Sequence, residues 1–304
     1  QFLPFLAVLQ NFENIVLRKN DKALTVISKR EFIDAAGCYS TPAVDGQEFY
    51  NSFVLTKDKL QKFVRKNESI IWIVGANKVR HEIMPFIELE DGNIFISYGA
   101  IEQAKQLWYS YFNNGGSYYT IPDKTDELKI AMEKRNKQLS DVLLGKLQEI
   151  LRTNYSPDID LRDVDYDNIF GKKEENYGDY DIVFFSKAAK ELYLIESKYF
   201  SDSLNASGTV NDYNKMFGKN GYYEHCRKRY DLVLAEPDKL KAYIGTEEKI
   251  KVHMLFVSSK PLEMELHDKD EVVTFLSLNI FEKYVQGKLI SGEDDSVIGT
   301  KFEI

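Results

Sequence analysis

A short apolar segment of the chain ends in two charged residues of opposite sign. The segment Leu192–Lys198 reads Leu-Tyr-Leu-Ile-Glu-Ser-Lys. Because side chains alternate across a β-strand, Glu196 and Lys198 point to the same face of the strand that this segment predicts. Burying either charge alone costs several kcal/mol. The segment therefore predicts a sheet that has a specific use for both charges.

A second apolar stretch, Asp-Ile-Val-Phe-Phe, lies directly upstream and opens with Asp181. A hairpin that turns at Ala188–Ala189 pairs Phe185 with Leu192 and Asp181 with Glu196. Residues directly opposite each other in such a hairpin have Cβ atoms about 4.5–5.5 Å apart. The sequence therefore predicts two carboxylates and a lysine at one edge of a buried sheet.

This set of side chains suits a hard cation. Carboxylate oxygens are ligands that Mg²⁺ accepts, usually one or two of them together with water and phosphate oxygens. A lysine beside the cation can polarise a water molecule or stabilise charge on a phosphate. Asp179 is an alternative to Asp181 as the first carboxylate. Asp181 is preferred because, in the pairing above, it faces Glu196 directly.

Asp181, fourteen further residues and then Glu196-Ser197-Lys198 resemble the active-site signature of the PD-(D/E)xK, or restriction-endonuclease-like, nuclease superfamily. The resemblance implies a metal-dependent phosphodiesterase with Mg²⁺ as its cofactor, for which Mn²⁺ can substitute. It implies Asp181, Glu196 and the backbone carbonyl of Ser197 as metal ligands. It also implies that Lys198 orients or deprotonates a water molecule. The sequence departs from the signature at the first carboxylate, which no proline precedes.

Two other E-x-K triplets occur in the chain, Glu127-Leu128-Lys129 and Glu247-Glu248-Lys249. Both lie in polar surroundings, where helix or loop is expected and side chains two residues apart do not meet. Only the triplet at Glu196 lies in an apolar strand that follows another apolar strand and an acid. The competing interpretation of this triplet is a salt bridge at the end of a strand.

The resemblance covers about residues 121–290. We expect an α/β fold, with a restriction-endonuclease-like mixed central sheet flanked by helices in residues 121–304. A smaller α/β accessory domain is expected in residues 1–120, where residues 70–75 form the clearest predicted strand. A periodic helix from about Thr125 to Arg152 precedes the signature. In the family such a helix often lends a glutamate to the metal, and Glu133 and Glu149 are the candidates here, although surface positions suit both better.

A basic segment follows the signature, and its tyrosines are interleaved with positive charges. Basic residues among aromatic side chains suit phosphate contacts and base stacking. A helix that buries its aromatic residues and exposes its charges fits the same pattern, and one helix can do both. In the family, the helix after the E-x-K strand often presents a polar residue toward the active site, for which His225 is the candidate. The predicted nucleic-acid contacts are Lys215, Lys219, His225, Arg227, Lys228 and Arg229.

Composition narrows the class of protein. The net charge of −8 argues against a wholly basic coat for nucleic acid but does not exclude a nuclease. The two cysteines, far apart in sequence, favour reduced thiols in a cytoplasmic protein. No apolar run approaches the roughly 20 residues that span a bilayer, so no membrane partner is expected. The chain begins at Gln1 rather than methionine, and we expect it to be part of a longer protein.

These observations lead to one hypothesis and one alternative. The hypothesis is a Mg²⁺-dependent endonuclease that acts on DNA, with a restriction-like or anti-phage defence role suggested by analogy of fold alone. The alternative is a non-catalytic module that binds nucleic acid or protein on a degenerate nuclease fold. The expected partner is nucleic acid, and the sequence leaves open further domains or subunits and a second copy of the chain.

Overall fold

A computed structural model describes residues 3–19, 23–38, 44–59, 83–114, 126–175, 177–201, 206–262, 273–292, 294–300 and 302–304. The chain forms two compact units, Gln1–Asn136 with Ser201–Thr209, and Lys137–Phe200 with Val210–Ile304. The division lies inside a long helix. The expected boundary near residue 121 and the strand predicted at residues 70–75 both lie outside the described residues.

The first unit pairs a four-stranded sheet with helices. Its strands β1 to β4 lie in the order β1-β4-β3-β2, and β2 and β3 run parallel while the other neighbours are antiparallel. Its elements are α1 (Leu3–Lys19), β1 (Leu24–Ser28), α2 (Lys29–Cys38), α3 (Gly46–Phe53), β2 (Val54–Leu55), β3 (Phe86–Glu88), β4 (Asn93–Ser97) and α4 (Tyr98–Asn114).

Aromatic side chains build the core of this unit. The rings of Phe12 and Phe32 stack with their centroids 4.5 Å apart, and Phe49 stacks on Phe53 at 4.6 Å. All four are fully buried. Each buried ring contributes about 1.5–3 kcal/mol through the apolar surface that it removes from water. The spacing of Phe5, Leu9 and Phe12 along α1 thus serves packing, as the helical periodicity indicates.

The second unit carries the signature. The helix α5 (Asp126–Asn154) crosses the division between the units. The elements that follow are β5 (Ile159–Asp165), α6 (Tyr166–Phe170), β6 (Asp179–Ser186), β7 (Glu191–Lys198), α7 (Ala206–Phe217), α8 (Tyr222–Ala235), α9 (Pro237–Ile244), β8 (Lys251–Ser258), β9 (Thr274–Ser277), α10 (Leu278–Val285) and β10 (Phe302–Glu303).

These strands form a six-stranded mixed sheet. The order is β10-β8-β7-β6-β5. Strand β9 also pairs with β8, further along that strand than the short β10. Strands β5, β6 and β7 are antiparallel, whereas β7, β8 and β9 are parallel. Strands β6, β7 and β8 are buried along nearly their whole length. Continuous apolar sequence is expected where helices cover both faces of a sheet.

The predicted hairpin register between β6 and β7 is confirmed. Phe185 pairs with Leu192, and the ladder runs from Ser186 and Glu191 as far as Ile182 and Ile195. The amide of Lys190 donates a hydrogen bond of 3.2 Å to the carbonyl oxygen of Lys187 across the turn. Because this register continues by one step, Asp181 and Glu196 lie opposite each other where the ladder ends.

Helices cover both faces of the sheet. Val183 and Leu194 pack on the face that also receives Cys226 and Val233 of α8. Ile182 and Ile195 belong to the other face, together with Leu143, Leu147 and Leu151 of α5 and Phe281 of α10. The mixed α/β class and the helix-flanked mixed sheet are therefore confirmed. Among the described residues, no helix has the length and apolar character needed to cross a membrane.

Candidate functional site

Three predicted site residues meet at one end of the hairpin. The Nζ of Lys198 lies 2.6 Å from Oε1 of Glu196 and 3.3 Å from Oδ2 of Asp181. Asp181 is the third residue of β6, and Lys198 is the last residue of β7. The lysine thus bridges the two carboxylates across the strands, on the face that parity predicts.

The middle residue of the E-x-K triplet contributes through its backbone. The amide of Ser197 donates a hydrogen bond of 2.5 Å to Oδ2 of Asp181. The resemblance implies a role for another atom of this residue, its backbone carbonyl oxygen, as a metal ligand. Ser197 follows Ile195 by two positions, so its side chain lies on the face of β7 opposite to Glu196. Its hydroxyl is buried there and has no hydrogen-bond partner among the described residues.

Asp163 joins the site from β5. The ladder between β5 and β6 pairs Arg162 with Ile182 and Val164 with Tyr180, and the step between these pairs is missing. Asp163, at that step, has a φ of 50°, in the left-handed region that aspartate tolerates better than most residues. It therefore lies opposite Asp181, where the strand departs from regular pairing.

The three aspartates of this edge can share a cation. One carboxylate oxygen from each of Asp163, Asp179 and Asp181 lies within 4.8 Å of the other two. Asp163 and Asp179 are exposed, whereas Asp181 is half-buried. Carboxylate oxygens are donors of the kind that Mg²⁺ or Mn²⁺ accepts, and two of these three residues are exposed to water. The residues therefore fit the cation that the resemblance implies.

Burial and a neighbouring charge perturb Asp181. Loss of water around the carboxyl, followed by repulsion from Glu196, raises the pKa of Asp181 to about 6. Lys198 and the Ser197 amide act in the opposite direction without cancelling this effect. A cation beside this carboxyl would stabilise its ionised form, because the positive charge compensates for the water that burial removed.

Glu196 is the more deeply buried acid, and it stays ionised. Burial raises its pKa, but the positive charges of Arg229 and Lys198 outweigh burial and hold the pKa below its ordinary value. Burial lowers the pKa of Lys198, and the charges of Glu196 and Asp181 outweigh that effect and raise it. Lys198 is therefore protonated at neutral pH.

Arg229 lies inside the site rather than on the surface. Its side chain is 3% exposed, and its Nη2 lies 2.6 Å from Oε2 of Glu196. A nucleic-acid backbone outside the protein does not reach a guanidinium in this position. Arg229 therefore does not belong to the basic surface that the sequence predicts. The sequence signal that points inward is its i, i+3 and i+4 spacing with Cys226 and Val233.

The other basic candidates lie in or between α7 and α8. Lys215, Lys219 and Arg227 are exposed, and His225 is half-buried. Lys228 is half-buried, with its Nζ 3.3 Å from Glu175 and 3.7 Å from Glu224. These placements keep Lys215, Lys219 and Arg227 as candidates for contact with phosphate.

Two glutamates proposed from the long helix do not join the carboxylates. Glu133 and Glu149 are both exposed, and neither belongs to the group of acids that can share a cation. Asp160 of the same acidic run as Asp163 is held instead by Gln148 and Arg152. Asp163 was not among the metal ligands predicted from the sequence, and the interrupted ladder brings it to Asp181.

Comparisons with known proteins identify no relative: nothing matches the chain among protein-family models, curated proteins or solved structures.

Proposed function

We propose that the second unit is a metal-dependent nuclease that hydrolyses phosphodiester bonds in DNA. The observation that carries the proposal is the bridge of Lys198 between Asp181 and Glu196, at 3.3 Å and 2.6 Å, beside two further aspartates. A lysine and several carboxylates at one accessible sheet edge are the groups that phosphodiester hydrolysis with a hard cation requires.

The residues have separable roles in this proposal. Asp181, with Asp163 and Asp179, would hold the cation, and Glu196 is the further ligand that the resemblance implies. A bound Mg²⁺ or Mn²⁺ supplies positive charge that offsets the charge developing on the phosphate. Lys198, protonated and held between two carboxylates, orients the attacking water and donates hydrogen bonds to phosphate oxygens.

The architecture supports a restriction-endonuclease-like fold as part of the same proposal. The signature residues lie on the adjacent central strands β6 and β7. The sheet is antiparallel on one side of β7 and parallel on the other, with helices on both faces. This order places the charged edge at the end of β7, outside the apolar core.

One observation favours the alternative of a binding module on a degenerate nuclease fold. Each carboxylate oxygen of Glu196 already has a cationic partner, Lys198 on Oε1 and Arg229 on Oε2. A purely structural ion-pair network would look the same on this side of the site. The exposed pair Asp163 and Asp179 supports the nuclease, because a structural network gains nothing from gathering further acids beside Asp181.

The decisive experiment is a cleavage assay on the purified chain. Plasmid, linear duplex, single-stranded DNA and RNA are each incubated with Mg²⁺, Mn²⁺ or EDTA. We expect cleavage of DNA with either metal, none with EDTA, and a loss of at least about 100-fold in Asp181→Asn and Lys198→Met. Glu247→Gln, in an exposed E-x-K triplet, is the matched control and should cleave like the wild type.

Binding of DNA without cleavage under every metal condition would replace the nuclease proposal by the binding module. The defence role has its own test, because it rests on analogy of fold. Cells that produce the full-length protein should lower phage plating efficiency, and Asp181→Asn should abolish the protection. Equal phage plating efficiency with both proteins would exclude the defence role without bearing on the proposed nuclease activity.

A further inference from the structure

We propose that Arg229 is a positioning residue for the nuclease site, which fixes one oxygen of Glu196 so that the other faces Lys198. This inference rests on the proposed function. Nothing in the sequence signature requires an arginine at this position, since the signature ends at Lys198.

The first step of the argument is the cost of burying Arg229. A guanidinium that is 3% exposed has lost almost all of its water, and a buried charge is tolerated only when it is paired and hydrogen-bonded. Its Nη2 donates a hydrogen bond of 2.6 Å to Oε2 of Glu196 and lies 3.7 Å from the Sγ of Cys226. Within the described part of the chain, its Nε is buried without a hydrogen-bond partner. The ion pair with Glu196 therefore offsets part of the cost of burying Arg229, while its Nε–H stays unsatisfied.

The second step is that the two carboxylate oxygens of Glu196 have different cationic partners. Arg229 takes Oε2 and Lys198 takes Oε1, each at 2.6 Å. Lys198 then continues to Asp181. The four side chains form a line of alternating charge that runs from the interior to the accessible aspartates. Without Arg229, a single lysine would face both oxygens of Glu196, and the carboxylate would be free to rotate about its last torsion.

The third step is the fixation of Arg229 itself. The centre of its guanidinium lies 5.3 Å from the ring centroid of Tyr180, which is fully buried. A ring near a planar guanidinium limits its orientation. Helix α8 holds the other end, because Cys226 and Val233, one turn away on either side, pack into the core of the same face. Helix α8, through Arg229, therefore fixes the position of Glu196 together with β7.

Catalysis depends on such fixation, because a displacement of about 1 Å in a catalytic group can cost about 100-fold in rate. Lysine at position 229 would keep the charge but present a flexible point donor in place of a planar group. Loss of positioning therefore predicts a lower kcat with little change in the KM for DNA, since Arg229 is too deeply buried to contact DNA.

The test compares Arg229→Lys and Arg229→Met with the wild type and with Lys187→Met, an exposed basic residue in the hairpin turn at the other end of the strands. Steady-state cleavage of DNA is measured with Mg²⁺ in excess, and circular dichroism melting reports folding. We expect kcat to fall about 10-fold in Arg229→Lys and about 100-fold or more in Arg229→Met, with KM within about 3-fold. Lys187→Met should match the wild type.

The outcomes separate the inference from the function on which it rests. A wild type that cleaves no substrate overturns both. A wild type that cleaves, with a folded Arg229→Lys or Arg229→Met that keeps the full kcat, overturns the positioning role alone. If Arg229→Met does not fold, Arg229→Lys decides. A Lys variant with the wild-type kcat shows that the buried charge is structural, and a Lys variant whose KM rises while kcat is unchanged shows that position 229 affects substrate binding instead.

Discussion

Asp163 lies opposite Asp181 at the step where the ladder between β5 and β6 is interrupted. Pairs are formed on both sides of this step, and Asp163 has a φ of 50°. The interruption brings a carboxylate from a third strand to the signature edge. The acid group available to a cation therefore comes from β5 as well as from β6.

The first prediction concerns Asp163. Asparagine tolerates the left-handed region about as well as aspartate does, so Asp163→Asn removes a charge without straining the backbone. Saturating Mg²⁺ should raise the melting temperature of the wild type by about 3–5 °C through binding to the native state. The rise should be at most half as large in Asp163→Asn. Thermal melts with and without Mg²⁺ measure the difference.

The control for that experiment is Asp231→Asn, an exposed aspartate on α8. It should respond to Mg²⁺ like the wild type. An equal rise in all three proteins would mean that Asp163 does not bind the cation. No rise in any of them would mean that the three aspartates are a solvated acidic edge.

The second prediction concerns the stability of the metal-free protein. The pKa of Asp181 is raised by burial and by Glu196 to about 6, against about 3.9 for an unfolded aspartate. Between these values the folded state binds more protons than the unfolded state, so the free energy of unfolding falls as the pH rises. Asp181→Asn lacks this dependence. Above pH 7 it should be more stable than the wild type, by on the order of 1–3 kcal/mol.

Urea unfolding in EDTA at pH values from 4 to 8 tests this relationship. The difference between Asp181→Asn and the wild type should be smallest at pH 4 and should grow through pH 6. If the wild-type Asp181 served mainly as the partner of Lys198, the variant would be the less stable protein at pH 8. That outcome would identify a structural salt bridge and remove the argument for a cation.

Much of the hairpin could be predicted from the sequence. The alternation of apolar residues, the short turn and the parity of Asp181, Glu196 and Lys198 together define one register, because a slip by one residue would turn the apolar set outward. The structure has that register. The strands were therefore recognisable from local pattern alone, as was the periodic helix before them.

Contacts between distant segments could not be predicted in the same way. Asp163 reaches Asp181 through an irregular backbone step, which a run of acidic residues does not indicate. Arg229 looked like one of several surface charges in a basic segment, and only the packing of α8 on the sheet turns it toward Glu196. The contacts of both residues depend on tertiary packing, and a local sequence pattern does not predict which distant segments lie close together.

The third prediction concerns the exposed basic residues around α7 and α8. Replacing Lys215, Lys219 and Arg227 by glutamine should weaken DNA binding and reduce the salt dependence. Each lost phosphate contact lowers the slope of log K against log salt by about one. Binding by Asp181→Asn protein, measured over a salt series, avoids cleavage during the assay. Arg229 is left unchanged because it is buried.

The matched control removes three exposed lysines at the hairpin end of the sheet, Lys187, Lys190 and Lys249. This control carries the same change in net charge, so a general loss of attraction would weaken both triple variants equally. Only a local contact surface weakens the first more than the second. If the slope of log K against log salt is unchanged in the first triple variant, its three basic residues do not contact DNA and only face solvent.

The last prediction concerns Glu191, at the far end of β7 from the site. Its Oε2 lies 2.5 Å from Nε2 of His253, and its Oε1 lies 3.5 Å from Nζ of Lys251. Burial raises the pKa of Glu191, but His253 and Lys251 outweigh burial and hold the pKa below its ordinary value. The stability that Glu191 contributes is therefore present above the unfolded pKa of about 4.3 and is lost as the pH falls through the folded pKa.

Glu191→Gln should lower the free energy of unfolding by about 1–3 kcal/mol at pH 7, and the deficit should shrink toward zero near pH 3. Its cleavage activity should stay within about 2-fold of the wild type, since five strand residues place Glu191 about 17 Å from Glu196. Urea unfolding across pH, with exposed Glu247→Gln as the control, measures the first effect. A deficit that stays constant with pH would mean that Glu191 contributes through packing rather than through its charge.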